Sequence, residues 1–180
     1  MARGLSAHIH VRRRENLNPN DRITPTVFDL ETVLFLCTHN SARSQMAEAL
    51  LNRICGDKFR AESAGITPTG INPHVKRVMM EIGVDLTAAR SKSIVEFQGR
   101  AFDYVVTVCD QARETCPFFP GDKQIHRNFP DPASFTGTDE EILLKVRLVR
   151  DEIQHWIDKI FCNGNPDAET SLQAIQELTK

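Results

Sequence analysis

Cys37 and Arg43 are the pair of side chains in this sequence best spaced to do chemistry together. They lie six residues apart in the stretch Val33 to Leu51, VLFLCTHNSARSQMAEALL. The apolar run Val33 to Leu36 is short enough for a buried strand. Met46, Ala47, Leu50, Leu51 and Ile54 then recur at helical spacing, and Gly56 stands where a helix would stop. The residues between, Thr38, His39, Asn40, Ser41, Ala42, Arg43 and Ser44, form the turn from strand to helix. Amides at a helix start have no intrahelical partner and face the positive end of its dipole, so such a turn can cradle an anion. The same field is expected to favour a thiolate at Cys37. Arg43 can fold back over the loop and offer a planar fork to a tetrahedral oxyanion. Ser44 can donate its hydroxyl to the sulfur, and Asn40 suits a position that needs positive φ. The residues alone leave two readings open. Cys37 is either a nucleophile in an oxyanion-binding loop or a buried structural thiol beside an arginine that caps the turn or faces water.

The rest of the chain supplies the elements that would position this loop. Phe59 to Ala64 reads as a second strand, followed by a loop punctuated by Gly65 and Gly70. Asn72 is a good N-cap and Pro73 a good first helical residue, with Val75, Val78, Met79 and Ile82 forming an apolar stripe closed by Gly83. Ser93 and Glu96 form a capping box opening a short helix through Phe97. Phe102 to Val108 is the third strand and Gln124 to Asn128 the fourth. Thr138 and Glu141 cap a long helix whose apolar positions are Ile142, Val146, Val149, Ile153, Trp156 and Ile160. Strands alternating with helices imply an α/β fold, a three-layer sandwich with a small parallel sheet of about four strands flanked by helices. Ligands in such sheets bind at the carboxyl ends of the strands. Cys37, Cys109 and Asp131 all follow strands, so one site can gather them.

At 180 residues one domain with a real core is expected, and a net charge of −2 argues against a nucleic-acid or polybasic membrane surface. No apolar stretch has the length of a membrane span, and no signal-peptide core is visible. The five cysteines, at 37, 55, 109, 116 and 162, match neither a zinc site nor a secreted disulfide framework, which points to a cytoplasmic protein with working thiols. Spacing gives Cys55 and Cys162 no partner, and both read as structural. No metal is expected: His8 and His10 lie in a polar tail, and His126 has no Cys-x2-Cys pair to complete. Residues 1–31 read as a basic, disordered N-terminal extension and 162–180 as a C-terminal extension. Ala168, Leu172, Ile175 and Leu178 there fit one more amphipathic helix.

Cys37 to Ala49, CTHNSARSQMAEA, resembles the nucleophile loop shared by low-molecular-weight protein-tyrosine phosphatases and thioredoxin-linked arsenate reductases. The likeness covers Thr32 to Ile160, the expected catalytic domain being 32–161, and Ser-Gln-Met-Ala-Glu leans to the reductases. It implies that Asp131-Pro132 is the general-acid position; Ala133-Ser134 follows where the phosphatases carry a tyrosine. It also implies that Cys109 and Cys116, in VVTVCDQARETCPFFPG, are the second and third cysteines of a reductase relay. Cys37 would attack arsenate, Cys109 would displace arsenite, and Cys116 would carry the oxidation away for thioredoxin to reduce, with phosphate and sulfate as competing oxyanions and no cofactor. Some reductases of the family bind potassium through residues matched here by Asn40, Glu48 and Ser63, but Lys92 stands where an aspartate would complete the set. Its ammonium could take the cation's place in supporting the loop. If residues 110–116 are helical, Cys109 and Cys116 lie about 10.5 Å apart, beyond the about 7 Å a disulfide tolerates, so the segment must unwind to bridge them. Two rival readings remain: a phosphatase of tyrosine or small phosphoesters, and a non-enzymatic oxyanion or thiol sensor.

Overall fold

The computed structural model describes residues 30–115, 119 and 121–171. Four parallel strands, β1 (Glu31–Cys37), β2 (Phe59–Gly65), β3 (Phe102–Thr107) and β4 (Gly121–His126), form one sheet in the order β2-β1-β3-β4. Among the described residues the helices that accompany them include α1 (Arg43–Ile54), α2 (Pro73–Glu81), α3 (Asp110–Thr115) and α4 (Asp139–Ile157), the last continued by a wider π turn, Asp158–Cys162. The α/β reading with a small parallel sheet holds.

β1 is the central strand because it can be buried on both sides. Val33, Phe35 and Cys37 face a large core with α1, α2 and α4, while Leu34 and Leu36 face a smaller one with Ala64, Phe97, Phe102, Val105 and Phe119. At the amino end of the sheet Phe161 is set among Phe35, Phe59, Tyr104 and Trp156, with edge-on ring centroids 5.3–6.3 Å apart. Leu36 pairs in register with Ala64 and Thr107, and Thr107 with His126, so the strands end at one level. The turns leaving that level carry the expected site residues.

The caps read from sequence are present. Asn72 accepts from His74 and Val75, and Ser93 and Thr138 each close a reciprocal box with Glu96 and Glu141. Three expectations change. The fourth strand runs earlier than Gln124–Asn128, because its residues are mostly polar and only Ile125 marks its inward face. On α4, Leu143 is buried where Ile142 is only half-buried, and Arg150 lies in the same seam, donating to the Val78 carbonyl at 2.8 Å. Cys55 and Cys162 are joined by a disulfide, their Cα atoms 5.6 Å apart across a separation of 107 residues. Spacing could not reveal a pair that only the docking of the C-terminal turn creates. Asp167, in the helical stretch 166–171, also accepts from Tyr104 Oη at 2.7 Å and pairs with Lys123 at 2.6 Å. Leu172, Ile175 and Leu178 of the expected terminal helix, and residues 1–29, lie outside the described residues. Among those described, no helix is long and apolar enough to cross a membrane, and no group of three or more His, Cys, Asp or Glu could hold a metal ion.

Candidate active site

The loop from Cys37 to Ser44 is held from outside by its carbonyls. Those of Cys37, Thr38, His39 and Ser41 accept from the amides of Ile66, Thr67, Thr69 and Asn72, at 2.8–3.3 Å. The Asn40 carbonyl accepts from Ser91 Oγ at 2.7 Å and from Gln45 Nε2 at 3.2 Å. In a trans peptide the next N–H points opposite to the carbonyl, so the amides following these carbonyls turn away from the 65–72 strap. Asn40 N–H does so visibly, donating to Cys37 Sγ at 3.1 Å. The strap lies this close because Gly65 has no Cβ; one placed there would come within 2.7 Å of Asn40 N and 2.8 Å of the His39 carbonyl carbon. α1 begins after Ala42 with no side-chain cap, whereas Asn72, Ser93, Asp131 and Thr138 each cap the turn they precede. No side chain caps the start of α1, as an anion cradle at that turn would require.

Asn40 is the hub. Its φ of 48° is the left-handed conformation expected from the sequence. Its Nδ2 donates to Ser44 Oγ at 2.9 Å and Ser63 Oγ at 2.8 Å; its Oδ1 accepts from Lys92 N at 2.7 Å and Gln45 Nε2 at 2.9 Å. With its oxygen receiving from Asn40, Ser44 has its hydroxyl hydrogen left for Cys37 Sγ, 2.8 Å away. Ser63 donates to Glu48, whose two oxygens each lie 2.9 Å from Lys92 Nζ. A continuous chain thus runs from the Lys92 ammonium through Glu48, Ser63, Asn40 and Ser44 to the sulfur. Gln45 and Ser91 belong to this lattice and escaped the sequence reading. A glutamine inside a helical run and a serine in a polar loop carry no local signal.

The sulfur itself corrects an expectation. Cys37 is 3 % exposed, and burial, the largest influence on its thiol, pushes its pKa above the ordinary value. The Ser44 hydroxyl and the Asn40 and Ser44 amides pull it down, and Cys109 nearby pushes it up. Loss of water around the sulfur works against the field of the helix start.

Arg43 is buried, and its fork is already engaged. Nη1 donates to the Phe129 carbonyl at 3.1 Å and Nη2 lies 2.9 Å from Asp131 Oδ2. Phe129 is fixed in the core against Trp156, so the guanidinium has a rigid anchor. Asp131 caps the short turn Pro132–Ser134 through Ala133 N–H, with its side chain 36 % exposed. Cys109 is buried and free; its Sγ is 3.5 Å from Thr38 Oγ1 and accepts from Ala112 N–H at 3.4 Å, and Thr38 also donates to Gln111 Oε1 at 3.2 Å. The fold thus brings Cys37, Arg43, Asp131 and Cys109 to one edge of the sheet. Cys116 lies outside the described residues, beyond the end of α3. His39 and Ser41 are half-buried on the loop.

Comparison with known proteins agrees with this geometry. Residues 32–163 match the family described as low molecular weight phosphotyrosine protein phosphatase. An arsenate reductase from Halalkalibacterium halodurans is 44 % identical over 124 residues, 68 % of this chain and 89 % of that protein. Among solved structures, an arsenate reductase from Archaeoglobus fulgidus is 31 % identical with a TM-score of 0.53, covering 71 % of this chain and 99 % of that one. A thioredoxin-dependent arsenate reductase from Corynebacterium glutamicum is 30 % identical with a TM-score of 0.52, covering 74 % of this chain and 64 % of that one. The chain belongs to the low molecular weight phosphotyrosine protein phosphatase family, among relatives named arsenate reductases.

Proposed function

We propose that this protein reduces arsenate to arsenite at Cys37, using Cys109 and Cys116 as the source of electrons and thioredoxin to restore them. The observation that carries the proposal is a second buried free thiol, Cys109, in contact with the nucleophile loop through Thr38. A phosphatase needs only Cys37, Arg43 and Asp131. The relatives named arsenate reductases and the thioredoxin-dependent neighbour support the same choice.

Arsenate enters the cradle of amides 38–44 and draws the Arg43 guanidinium to its oxygens. The Cys37 thiolate attacks arsenic, and Asp131, released from Arg43 and carrying a proton, gives it to the departing hydroxyl, which leaves as water. The Cys109 thiolate then attacks Cys37 Sγ. The sulfur–arsenic bond breaks with its electron pair going to arsenic, so arsenic(V) becomes arsenic(III) while the two sulfurs become a disulfide. The Cys116 thiolate attacks Cys109 and releases Cys37 as a thiolate. A thioredoxin-type dithiol reduces the resulting Cys109–Cys116 disulfide. The cytoplasm, where such dithiols are kept reduced, is the place for this cycle. Lys92, Glu48 and Ser63 act by holding Asn40 and Ser44 on the sulfur.

The test is arsenate-dependent consumption of NADPH with thioredoxin and its reductase present. Turnover that stops when thioredoxin is omitted is expected; phosphoester hydrolysis without any arsenate turnover would overturn the proposal in favour of a phosphatase.

A further inference from the structure

Resting on the reading above, the step that distinguishes a reductase is the attack of Cys109 on Cys37, and its geometry depends on how Cys109 is aimed. The contacts to its sulfur are long, 3.5 Å to Thr38 Oγ1 and 3.4 Å from Ala112 N–H. Sulfur is a weak partner at such distances, so these bonds do not fix its direction. The backbone around it is fixed more firmly. Before Cys109, Val108 N–H donates to the Leu36 carbonyl at 2.9 Å. After it comes Asp110, whose side chain is 63 % exposed and yet has both oxygens taken. Oδ1 lies 3.0 Å from His126 Nε2, and Oδ2 accepts from Asn128 Nδ2.

His126 is itself held. Its side chain is only 18 % exposed, and Nδ1 is 2.8 Å from Thr107 Oγ1, its register partner on β3. Both ring nitrogens of His126 are thus engaged, Nδ1 by Thr107 and Nε2 by Asp110. Arg127, the neighbouring cation, is occupied elsewhere, pairing with Glu152 and lying over the Phe129 ring. Thr107, His126, Asp110 and Asn128 thus form a chain of contacts linking the carboxyl ends of β3 and β4 to the first residue of α3. Contacts to a carboxylate as exposed as that of Asp110 add little to stability, so a positioning role is the better account of so complete a set.

We propose that Asp110 and His126 are positioning residues for the attack of Cys109 on Cys37. They pin the residue after Cys109 to the end of the sheet, so that the thiol stays aimed at the nucleophile loop. Any rearrangement that delivers the next thiol then takes place on the far side of Asp110. Displacement of a reacting atom by about 1 Å can cost about a hundredfold in rate.

The test uses the full chain with Cys116→Ser, which confines the reaction to a single release of arsenite. Adding Asp110→Ala or His126→Ala should slow arsenite release by about tenfold or more. Hydrolysis of p-nitrophenyl phosphate and alkylation of Cys37 by iodoacetamide, which report on Cys37 alone, should change by less than about twofold. Asp110→Asn and His126→Gln keep a hydrogen bond at the same place and should restore most of the rate. Equal losses in all three measurements, or no loss of arsenite release, would overturn the positioning role and leave the reductase reading standing. Failure of the parent Cys116→Ser chain to release arsenite would overturn the reductase reading and this inference with it.

Discussion

Helix α1 has a cysteine beside each end, and the fold treats the two in opposite ways. Cys37, just before it, is 3 % exposed; Cys55, just after it, is 1 % exposed. Burial is therefore not what separates them. Cys37 sits against Ser44 Oγ and the Asn40 amide, at the uncapped end of the helix. Cys55 sits at the opposite pole of the dipole, where its own amide closes the helix onto the Leu51 carbonyl, and its sulfur is spent in the bond to Cys162. The same side chain becomes reagent or fastener according to the donors around it.

The comparison breaks most sharply by substitution. Cys37→Ser should lower arsenate turnover by about 10⁴-fold or more, as loss of a nucleophile does, with little change in melting temperature. Cys162→Ser should do the reverse. A disulfide typically contributes about 2–4 kcal/mol, and each kcal/mol is worth about 2–4 °C in a chain of this length, so melting should fall by about 5–15 °C. Turnover at 25 °C should stay within about twofold. Calorimetry beside the thioredoxin-coupled assay reads both. If Cys162→Ser abolished activity while leaving melting unchanged, the division between the two ends would be wrong. Alkylation followed by mass measurement sharpens it further. Cys37 and Cys109 should react in the unfolded, unreduced chain, and Cys55 and Cys162 only after reduction.

A smaller effect concerns the donors on Cys37. Its pKa is raised by burial against the pull of Ser44, so Ser44→Ala should raise it further and cut the thiolate fraction near pH 8 by about tenfold. Iodoacetamide alkylation against pH would show this. A raised thiol pKa means that the folded state holds the proton more tightly. The associated stabilisation is full below the unfolded thiol's value and is lost as pH rises through the folded one. The smallest effect is expected at Lys92. Its ammonium already sits 2.9 Å from both oxygens of Glu48, where a second cation would be repelled. Rates should match in sodium and potassium salts at equal ionic strength; a clear potassium preference would contradict this.

Local chemistry explains what the sequence made legible. The cradle could be read because strand, turn and helix follow one another within twenty residues, Asn40 needs only its own positive φ, and Asn72, Ser93 and Thr138 act on amides close in sequence. Cys109 and Asp131 could be placed at the same edge because every parallel strand ends there. Several of the misses are products of distance. Ser91 reaches the Asn40 carbonyl, and Asp110 reaches His126, only after the strands have aligned. β4 was displaced because Pro120-Gly121 reads as a turn. Gly121 in fact opens the strand, lying so near Val105 that a Cβ would be 2.4 Å from its Cγ2. The rise in the Cys37 pKa needed the burial of the sulfur, which a motif does not contain.

The disulfide also divides the chain topologically. Cys55 and Cys162 close a covalent ring holding β2, β3 and β4, while β1, lying between β2 and β3 in the sheet, belongs to the open N-terminal arm. Cys37 and Arg43 are on the arm; Cys109 and Asp131 are on the ring. A protease cut anywhere in the ring therefore leaves one covalent particle, migrating as a single band on a gel until reductant divides it. A cut between Cys37 and Cys55 severs Cys37 from the ring unless a Cys37–Cys109 disulfide holds it there. Electrophoresis with and without reductant would thus tell a nick inside the ring from one outside it without any sequencing.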